Sequence, residues 1–345
     1  MERKYSSRSQ LPEIDEGLDY QYNTVNWLIK TKEPACVGGD ARKQLRFLLL
    51  KQSELSRSLF NDNGVFKVPF SDAVFEEDGC AEYAFDWFPP SDQSVLPKSV
   101  VVYIHGGFWQ AIGWKESSHW AFPVTNAGSI FISLVYRLAP KEQLEVMPQR
   151  LCLGMQKAMN LTQQKFSQLH HTELNITLVG HSAGAHLILE MIHWAQIQSV
   201  SNRNWLCCLK NLILISGVYD LRPIIHTSVN QALKLRSVEE AWSRSPIRHF
   251  TQDSPNTLLQ KPLHWLVAWA EYDSPAMQRQ SEVLVELLKS ASNRSEQTTS
   301  SMKFTYEVFY ITNEDHFTTI LQLHNGPDNS SMMRKILELI IATQS

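Results

Sequence analysis

Cysteine is scarce and unpatterned in this chain. Five cysteines, Cys36, Cys80, Cys152, Cys207 and Cys208, stand among 345 residues. Their number is odd and no C-x-x-C spacing occurs, which excludes a disulfide framework and a thiolate zinc site. Reduced thiols in the cytoplasm are the expectation. Also lacking is any uninterrupted apolar stretch near the roughly 20 residues that cross a bilayer, so no membrane span is expected. The opening segment, MERKYSSRSQLPEIDEGLDY, mixes charges of both signs around no apolar centre and reads as neither a secretory signal nor a transit peptide. The Asn-x-Ser/Thr triplets at Asn160, Asn175, Asn293 and Asn329 are therefore expected to stay unmodified, and Asn175 opens a run that reads as a buried strand. An excess of one charge is missing too. With 32 basic against 35 acidic side chains the net charge is -3, and no basic block offers a footprint for nucleic acid or an anionic membrane surface. No phosphate-cradling glycine loop, nucleotide fingerprint or cluster of metal ligands stands out, so neither cofactor nor metal is expected.

What the chain does have is core. At 43% hydrophobic and 19% charged residues it is a globular sequence, and its length fits one large domain, 1–345, with insertions. From about residue 98, short β-branched runs alternate with longer amphipathic stretches, the pattern of βαβ units around a mostly parallel sheet flanked by helices. Strands are expected at Val100 to His105, Ile130 to Tyr136, Ile176 to Gly180, Leu212 to Ser216, Leu263 to Ala270 and Phe304 to Ile311, buried on both faces. Helices are expected at Pro148 to Leu169, Ala183 to Ser199, Ala276 to Ser290 and Met332 to Thr343. Two regions interrupt this order. Residues 1–65, with the periodic run RKQLRFLLLKQSELSRSLF, read as an N-terminal extension laid over the core. Residues 219–260 are too long for an ordinary strand connection and read as a small cap insertion. Ala291 to Ser301 is rich in Ser, Thr, Asn and Gln and reads as a surface loop.

Gly180-His181-Ser182-Ala183-Gly184 matches G-x-S-x-G between the strand NITLV and the helical AHLILEMIHW. That context is the sharp strand-to-helix turn on which an α/β-hydrolase displays a nucleophilic serine, here Ser182. The alternative is a glycine-rich turn with an incidental serine. His105-Gly106-Gly107-Phe108-Trp109 follows the strand VVVYI and matches the HGG loop whose backbone N–H groups form an oxyanion hole. The expected donors are the amides of Gly107, Phe108 and Ala183, aimed at charge that develops on a carbonyl oxygen. His105 is read as a scaffold residue bonding within the loop.

A serine hydroxyl needs a histidine to take its proton and a carboxylate to hold that histidine's tautomer. Asp273 and His316 each follow a predicted strand and stand in the order Ser, Asp, His that this fold uses. The competing carboxylates are Glu271 and Asp220, and Asp220 has Arg222 nearby as a local ion-pair partner. Asp273 could also serve only as a helix cap. Among the other histidines, His186 lies one helical turn beyond Ser182 and is expected to point along the helix surface. For contact with substrate the candidates are Trp109, Trp114, Tyr219 and Phe317, with Trp120 and Trp242 in the same segments, although each of these aromatics could equally be core.

Taken together, HGGFWQ, GHSAGAH, SGVYDLRP, Tyr272-Asp273-Ser274-Pro275 and Asn313-Glu314-Asp315-His316-Phe317 resemble the kynurenine formamidase (arylformamidase) family of α/β-hydrolases, over most of the chain from Tyr22 to Phe317. The resemblance implies hydrolysis of N-formyl-L-kynurenine to L-kynurenine and formate in tryptophan catabolism. It also implies Ser182, Asp273 and His316 as the triad and Gly106, Gly107 and Phe108 as the oxyanion loop. The partner is then a small-molecule substrate, and a homodimer is one assembly the sequence leaves open. A general carboxylesterase would use the same triad with a wider pocket. A non-catalytic hydrolase fold kept as a binding protein would have no need of all three residues at strand ends.

Overall fold

The β-branched runs become a single twisted sheet in the computed structural model, which describes residues 11–28, 41–70, 83–169, 174–197, 204–250, 259, 261–296 and 304–343. Its strands are β1 (Val65–Pro69), β2 (Ala84–Phe88), β3 (Ser99–Ile104), β4 (Ile130–Val135), β5 (Asn175–His181), β6 (Leu209–Ile215), β7 (His264–Ala270) and β8 (Thr305–Ile311). They lie in the order β1-β2-β4-β3-β5-β6-β7-β8. β1–β2 and β2–β4 are antiparallel, and every other pairing is parallel. β3 and β4 are buried along their whole length, as the continuous apolar runs require. β8 departs from that expectation. It closes one edge of the sheet, and Val308 and Tyr310 on it stay exposed.

The helices are α1 (Glu16–Tyr22), α2 (Ala41–Ser58), α3 (Ala121–Asn126), α4 (Met147–Lys165), α5 (Ala183–Ile197), α6 (Asn230–Leu233), α7 (Val238–Ser243), α8 (Pro275–Glu296), α9 (Thr318–Leu321) and α10 (Ser331–Ala342). Strand alternation divides the core between the two faces. Val100, Val102 and Ile104 of β3 share one cluster with Leu151 and Met155 of α4, Leu187 of α5 and Leu284 of α8. Val101 and Tyr103 share the other with Val124 of α3 and Ile336 of α10. The polar stretch expected to be a loop from Ala291 instead continues α8 as far as Glu296. The cap region 219–260 holds α6 and α7, while 251–258 and 260 lie outside the described residues. So do Cys36 and Cys80.

The periodic N-terminal run forms α2, which is fastened by two arginines. Arg57 donates from Nε to Asp86 Oδ2 at 2.8 Å and from its terminal nitrogens to the carbonyls of Trp114 and Lys115 at 2.5 and 3.2 Å. Asp86, fully buried on β2, also accepts from Ser118 Oγ at 2.7 Å, from the Lys67 amide at 3.1 Å and from the Trp114 indole. Arg46 pairs with Glu116 at 2.7 Å. Between these pins, Leu45 and Leu49 meet Ile112, Phe317 and Leu321. The extension thus touches both the segment after β3 and the segment after β8.

The two pins should differ in energy. Arg57→Leu leaves a buried carboxylate without its cation and should cost about 3–5 kcal/mol. Arg46 is half exposed, with 51% of its side chain accessible, but its partner Glu116 is buried, so Arg46→Leu should cost less than Arg57→Leu, about 1–3 kcal/mol. Denaturant unfolding of both variants checks this, and equal losses would contradict it.

Candidate active site

β5 ends at His181 and α5 begins at Ala183, so Ser182 alone makes the turn, at φ 53°. A left-handed backbone at a non-glycine residue costs on the order of 1–3 kcal/mol. Parallel pairing holds it there: the Ser182 amide donates to the Ile215 carbonyl at the end of β6, at 2.8 Å. The turn lifts the side chain to the carboxyl edge of the sheet, at the positive end of α5, where the Ala185 amide donates back to the Ser182 carbonyl at 3.0 Å. Ser182 is buried, and its Oγ takes no hydrogen bond from the described residues.

The loop after β3 lies directly on this serine. A Cβ at Gly106 would stand 2.7 Å from His181 Nδ1 and 3.0 Å from Ser182 Cβ, so no larger residue fits. Three residues in succession are left-handed: Gly107 at φ 100°, Phe108 at 48° and Trp109 at 61°. Gly107 takes that conformation without a Cβ penalty. Its carbonyl accepts from the amides of Gln110 and Ala111 at 2.9 and 3.0 Å. Among the described residues, the amides of Gly107 and Phe108 enter no turn or loop bond of their own. His105 is a scaffold, as expected. Its Nδ1–H donates to the Gly106 carbonyl at 2.8 Å and its ring stacks on Tyr136 at 4.4 Å. Burial pushes its pKa down to about 4, so it is neutral at working pH.

His316 follows β8 and donates from Nδ1–H to Asp273 Oδ1 at 2.7 Å, with both residues buried. That bond leaves Nε2 with the bare lone pair a base needs. Asp273 Oδ2 accepts from Ser216 Oγ at 2.5 Å and from the Ala270 amide at 3.1 Å. The His316 carbonyl accepts from His181 Nε2–H at 2.9 Å and from Thr319 Oγ1 at 3.1 Å. His181 lies 4.7 Å from the His316 ring, centroid to centroid. Burial, and then the proximity of His316, holds its pKa well below the ordinary histidine value, so no second positive charge stands beside the base. The rival carboxylates are spent elsewhere. Asp220 is gripped by Arg222 at 2.7 Å, and Glu271 accepts from the Asn313 amide at 2.7 Å.

Gly106 thus lies against Ser182, Ala183 follows in the same turn, and the Asp273–His316 pair adjoins them through His181. The aromatic candidates do not all join them. Phe317 does, meeting the His316 ring edge-on at 5.5 Å. Tyr219 is fully buried; its amide donates to Gln280 Oε1 at 2.9 Å, and its hydroxyl, folded over Gly217, has no partner among the described residues. Trp114 is turned onto the sheet, its ring 4.0 Å below the Arg57 guanidinium. Trp120 packs in the core against Tyr103 at 5.2 Å, and Trp242 carries Arg222 over its face at 4.5 Å. Trp109 is fully buried and donates its indole N–H to His186 Nδ1 at 3.3 Å. His186 itself, expected on the helix surface, is buried. Facing it is a cavity of about 200 Å³ lined also by Pro148, Trp194 and Arg244, which none of the triad candidates borders. Ser216, in the segment read only for its aspartate, is the contributor that sequence reasoning missed. Its place directly after a strand, like those of Ser182 and Asp273, is the signal that could have found it.

Ser216→Ala removes a hydrogen bond to a charged carboxylate, worth about 1.5–3 kcal/mol, and should lower kcat by roughly ten- to a hundredfold; an unchanged kcat would remove Ser216 from the site. The buried histidines set a second expectation. His105 and His186 titrate near 4 in the fold, against 6.5 when unperturbed. Between those values the unfolded chain binds more protons than the folded one, so stability rises with pH. Stability present above about pH 6.5 should be lost as pH falls toward 4, by a few kcal/mol for the pair. Urea midpoints at pH 7 and 4.5 test this, and equal midpoints would contradict it.

Over residues 101–302 the chain matches the family described as an alpha/beta hydrolase fold. It is similar to the kynurenine formamidase of Salmo salar, 33% identical over 243 residues that cover 70% of this chain and 73% of the relative. The kynurenine formamidase of Danio rerio is 29% identical over 325 residues, 93% of this chain and 94% of the relative. Among solved structures, a Silicibacter protein described as a thioesterase superposes with a TM-score of 0.63 at 20% identity, covering 92% of this chain and 97% of its own, a likeness of fold. A buried serine on a strand-to-helix turn, a glycine loop against it and these two relatives lead to one assignment: the chain belongs to the kynurenine formamidase family of the α/β-hydrolase superfamily.

Proposed function

We propose that the protein hydrolyses N-formyl-L-kynurenine to L-kynurenine and formate in tryptophan catabolism, with Ser182 as nucleophile, His316 as base and then acid, and Asp273 as the carboxylate that orients it. The observation that carries this reading is the 2.7 Å bond from His316 to Asp273 at neighbouring strand ends, with the His316 carbonyl bonded to His181, the residue before Ser182 under the glycine loop. Relatives bearing the formamidase name support the choice of substrate.

The steps follow from the atoms. Ser182 Oγ attacks the formyl carbon while its proton passes to His316 Nε2. Charge grows on the formyl oxygen, toward the amides of Gly107, Phe108 and Ala183. As the carbon–nitrogen bond breaks, His316 gives its proton to the departing aniline nitrogen, which would otherwise be a poor leaving group. Kynurenine leaves and the formyl group remains on Ser182. Water then attacks this ester, gives a proton to His316, and formate departs as the serine recovers its hydrogen. Asp273 stabilises the imidazolium at both stages.

Phe108, half buried in the loop, is the side chain read as crowding the acyl side, and Phe317 beside His316 as facing the aromatic leaving group. The proposal also treats the chain as one hydrolase domain, with residues 1–65 as an extension and 219–260 as a cap. A cytoplasmic setting is part of it.

Three measurements test this reading. Ser182→Ala should lose at least about a thousandfold in kcat/KM, and an organophosphate should label Ser182 and no other serine. The kcat/KM for N-formylkynurenine should exceed that for its N-acetyl and N-butyryl analogues in that order. Butyryl cleaved as fast as formyl would mean an open acyl pocket and a general carboxylesterase.

A further inference from the structure

We infer that His186 is a positioning residue for the oxyanion loop, acting through Trp109 and tying the loop to the helix that carries the nucleophile. The inference rests on the reading of Ser182 as nucleophile.

A loop with three left-handed residues in a row is strained, and its own bonds, from the amides of Gln110 and Ala111 to the Gly107 carbonyl, oppose that strain only in part. Phe108 at φ 48° and Trp109 at 61° each carry a Cβ, and each such conformation costs on the order of 1–3 kcal/mol. Ties from outside also hold it: the Tyr136 hydroxyl donates to the carbonyls of His105 and Gly106 at 3.1 and 3.2 Å, Gln110 Nε2 donates to the Val229 carbonyl at 2.8 Å, and Trp109 adds the tie to the helix that carries Ser182. The Trp109 carbonyl accepts from the Ala139 amide at 2.8 Å. Its indole N–H donates to His186 Nδ1 at 3.3 Å, and the two rings meet edge-on at 5.0 Å and 83°.

His186 lies on α5, one turn beyond Ser182. The separation between the serine and the loop amides is therefore spanned by one helical turn, an imidazole and an indole, all buried and all stiff. Catalysis by oriented donors depends on that separation, because an error near an ångström costs large factors in rate. The far side of the ring completes the device. His186 Nε2–H donates to the Arg244 carbonyl at 2.8 Å, which fixes the proton on Nε2 and leaves on Nδ1 the lone pair that the indole needs. Burial keeps the ring neutral, with a pKa near 4, so the lone pair persists at working pH. A cap residue thus selects the tautomer that anchors the loop.

The two nitrogens can be separated by substitution. Asparagine places its amide oxygen near the Nδ1 position and can still accept from Trp109, whereas glutamine places its amide nitrogen near Nε2 and keeps only the Arg244 bond. With a short-chain nitrophenyl ester as substrate, H186N should keep most of the wild-type kcat. H186Q and W109F should each lose roughly ten- to a hundredfold in kcat with KM little changed, a fraction of what a deleted oxyanion donor costs. The H186Q/W109F double variant should be no worse than either single one, because both break one bond. Thermal melting of each variant separates misplacement from unfolding. Wild-type kcat in H186Q, a loss confined to KM, full additivity in the double variant, or a loss matched by the unfolded fraction would each overturn the inference. S182A run in parallel separates the two levels. If S182A is dead while the His186 variants match wild type, only this inference falls; if S182A turns over normally, the reading of the site falls and the inference with it.

Discussion

The arrangement around Ser182 depends on one unfavourable backbone angle. Ser182 can present its hydroxyl at the sheet edge only by adopting a left-handed conformation between a strand and a helix. Such strain persists only where the surroundings over-determine it. β5 sits between β3 and β6, two parallel neighbours buried over nearly all their length, and β6 supplies the carbonyl that holds the serine amide. The carboxyl ends of β3, β6, β7 and β8 lie at the same edge of the sheet as the serine, and each is followed by a candidate for the site: Gly106, Ser216, Asp273 and His316. The parallel sheet is thus the instrument that turns residues far apart in sequence into neighbours.

Among the buried histidines His105, His181, His186 and His316, what each ring donates to separates His316 from the rest. His105, His181 and His186 give their ring N–H to backbone carbonyls, of Gly106, His316 and Arg244. His316 gives its own to a carboxylate. A carbonyl dipole orients a neutral ring, but only a full negative charge compensates the imidazolium that forms when a ring takes a proton. Burial reinforces the division, since it presses the three carbonyl-bound rings toward neutrality.

Legibility in the sequence follows the range over which a residue's role is decided. The inner parallel strands and the turn at Ser182 are readable, because continuous β-branched runs and a glycine-framed serine are local signals. Asp273 and His316 are readable by position after strands. β2 is not, since AFDWF carries a charge in its centre, and Asp86 makes sense only once Arg57 of α2 and Ser118 are beside it. β8 is less buried than its sequence suggests, because an apolar run does not say whether a strand lies inside a sheet or at its edge. The aromatics are the hardest. Trp109, Trp114 and Trp120 lie close together in sequence near the oxyanion loop, yet their rings go to a helix, an arginine and the opposite core. Sequence proximity to a site carries no direction, and side-chain direction is set by partners elsewhere in the chain.

The first helices of the chain depend on residues near its other end. Tyr22 accepts from Gln280, 258 residues later, and Leu45 and Leu49 of α2 find their apolar partners at Ile112, Phe317 and Leu321. A chain emerging from a ribosome makes α2 long before the segment with Phe317 exists, so that helix must wait with its apolar face uncovered while the central strands assemble. Contacts of such span impose a large loop-closure cost and form late. The segment carrying His316 therefore closes over α2 late, and the candidate site is assembled only after the chain has been synthesised through β8.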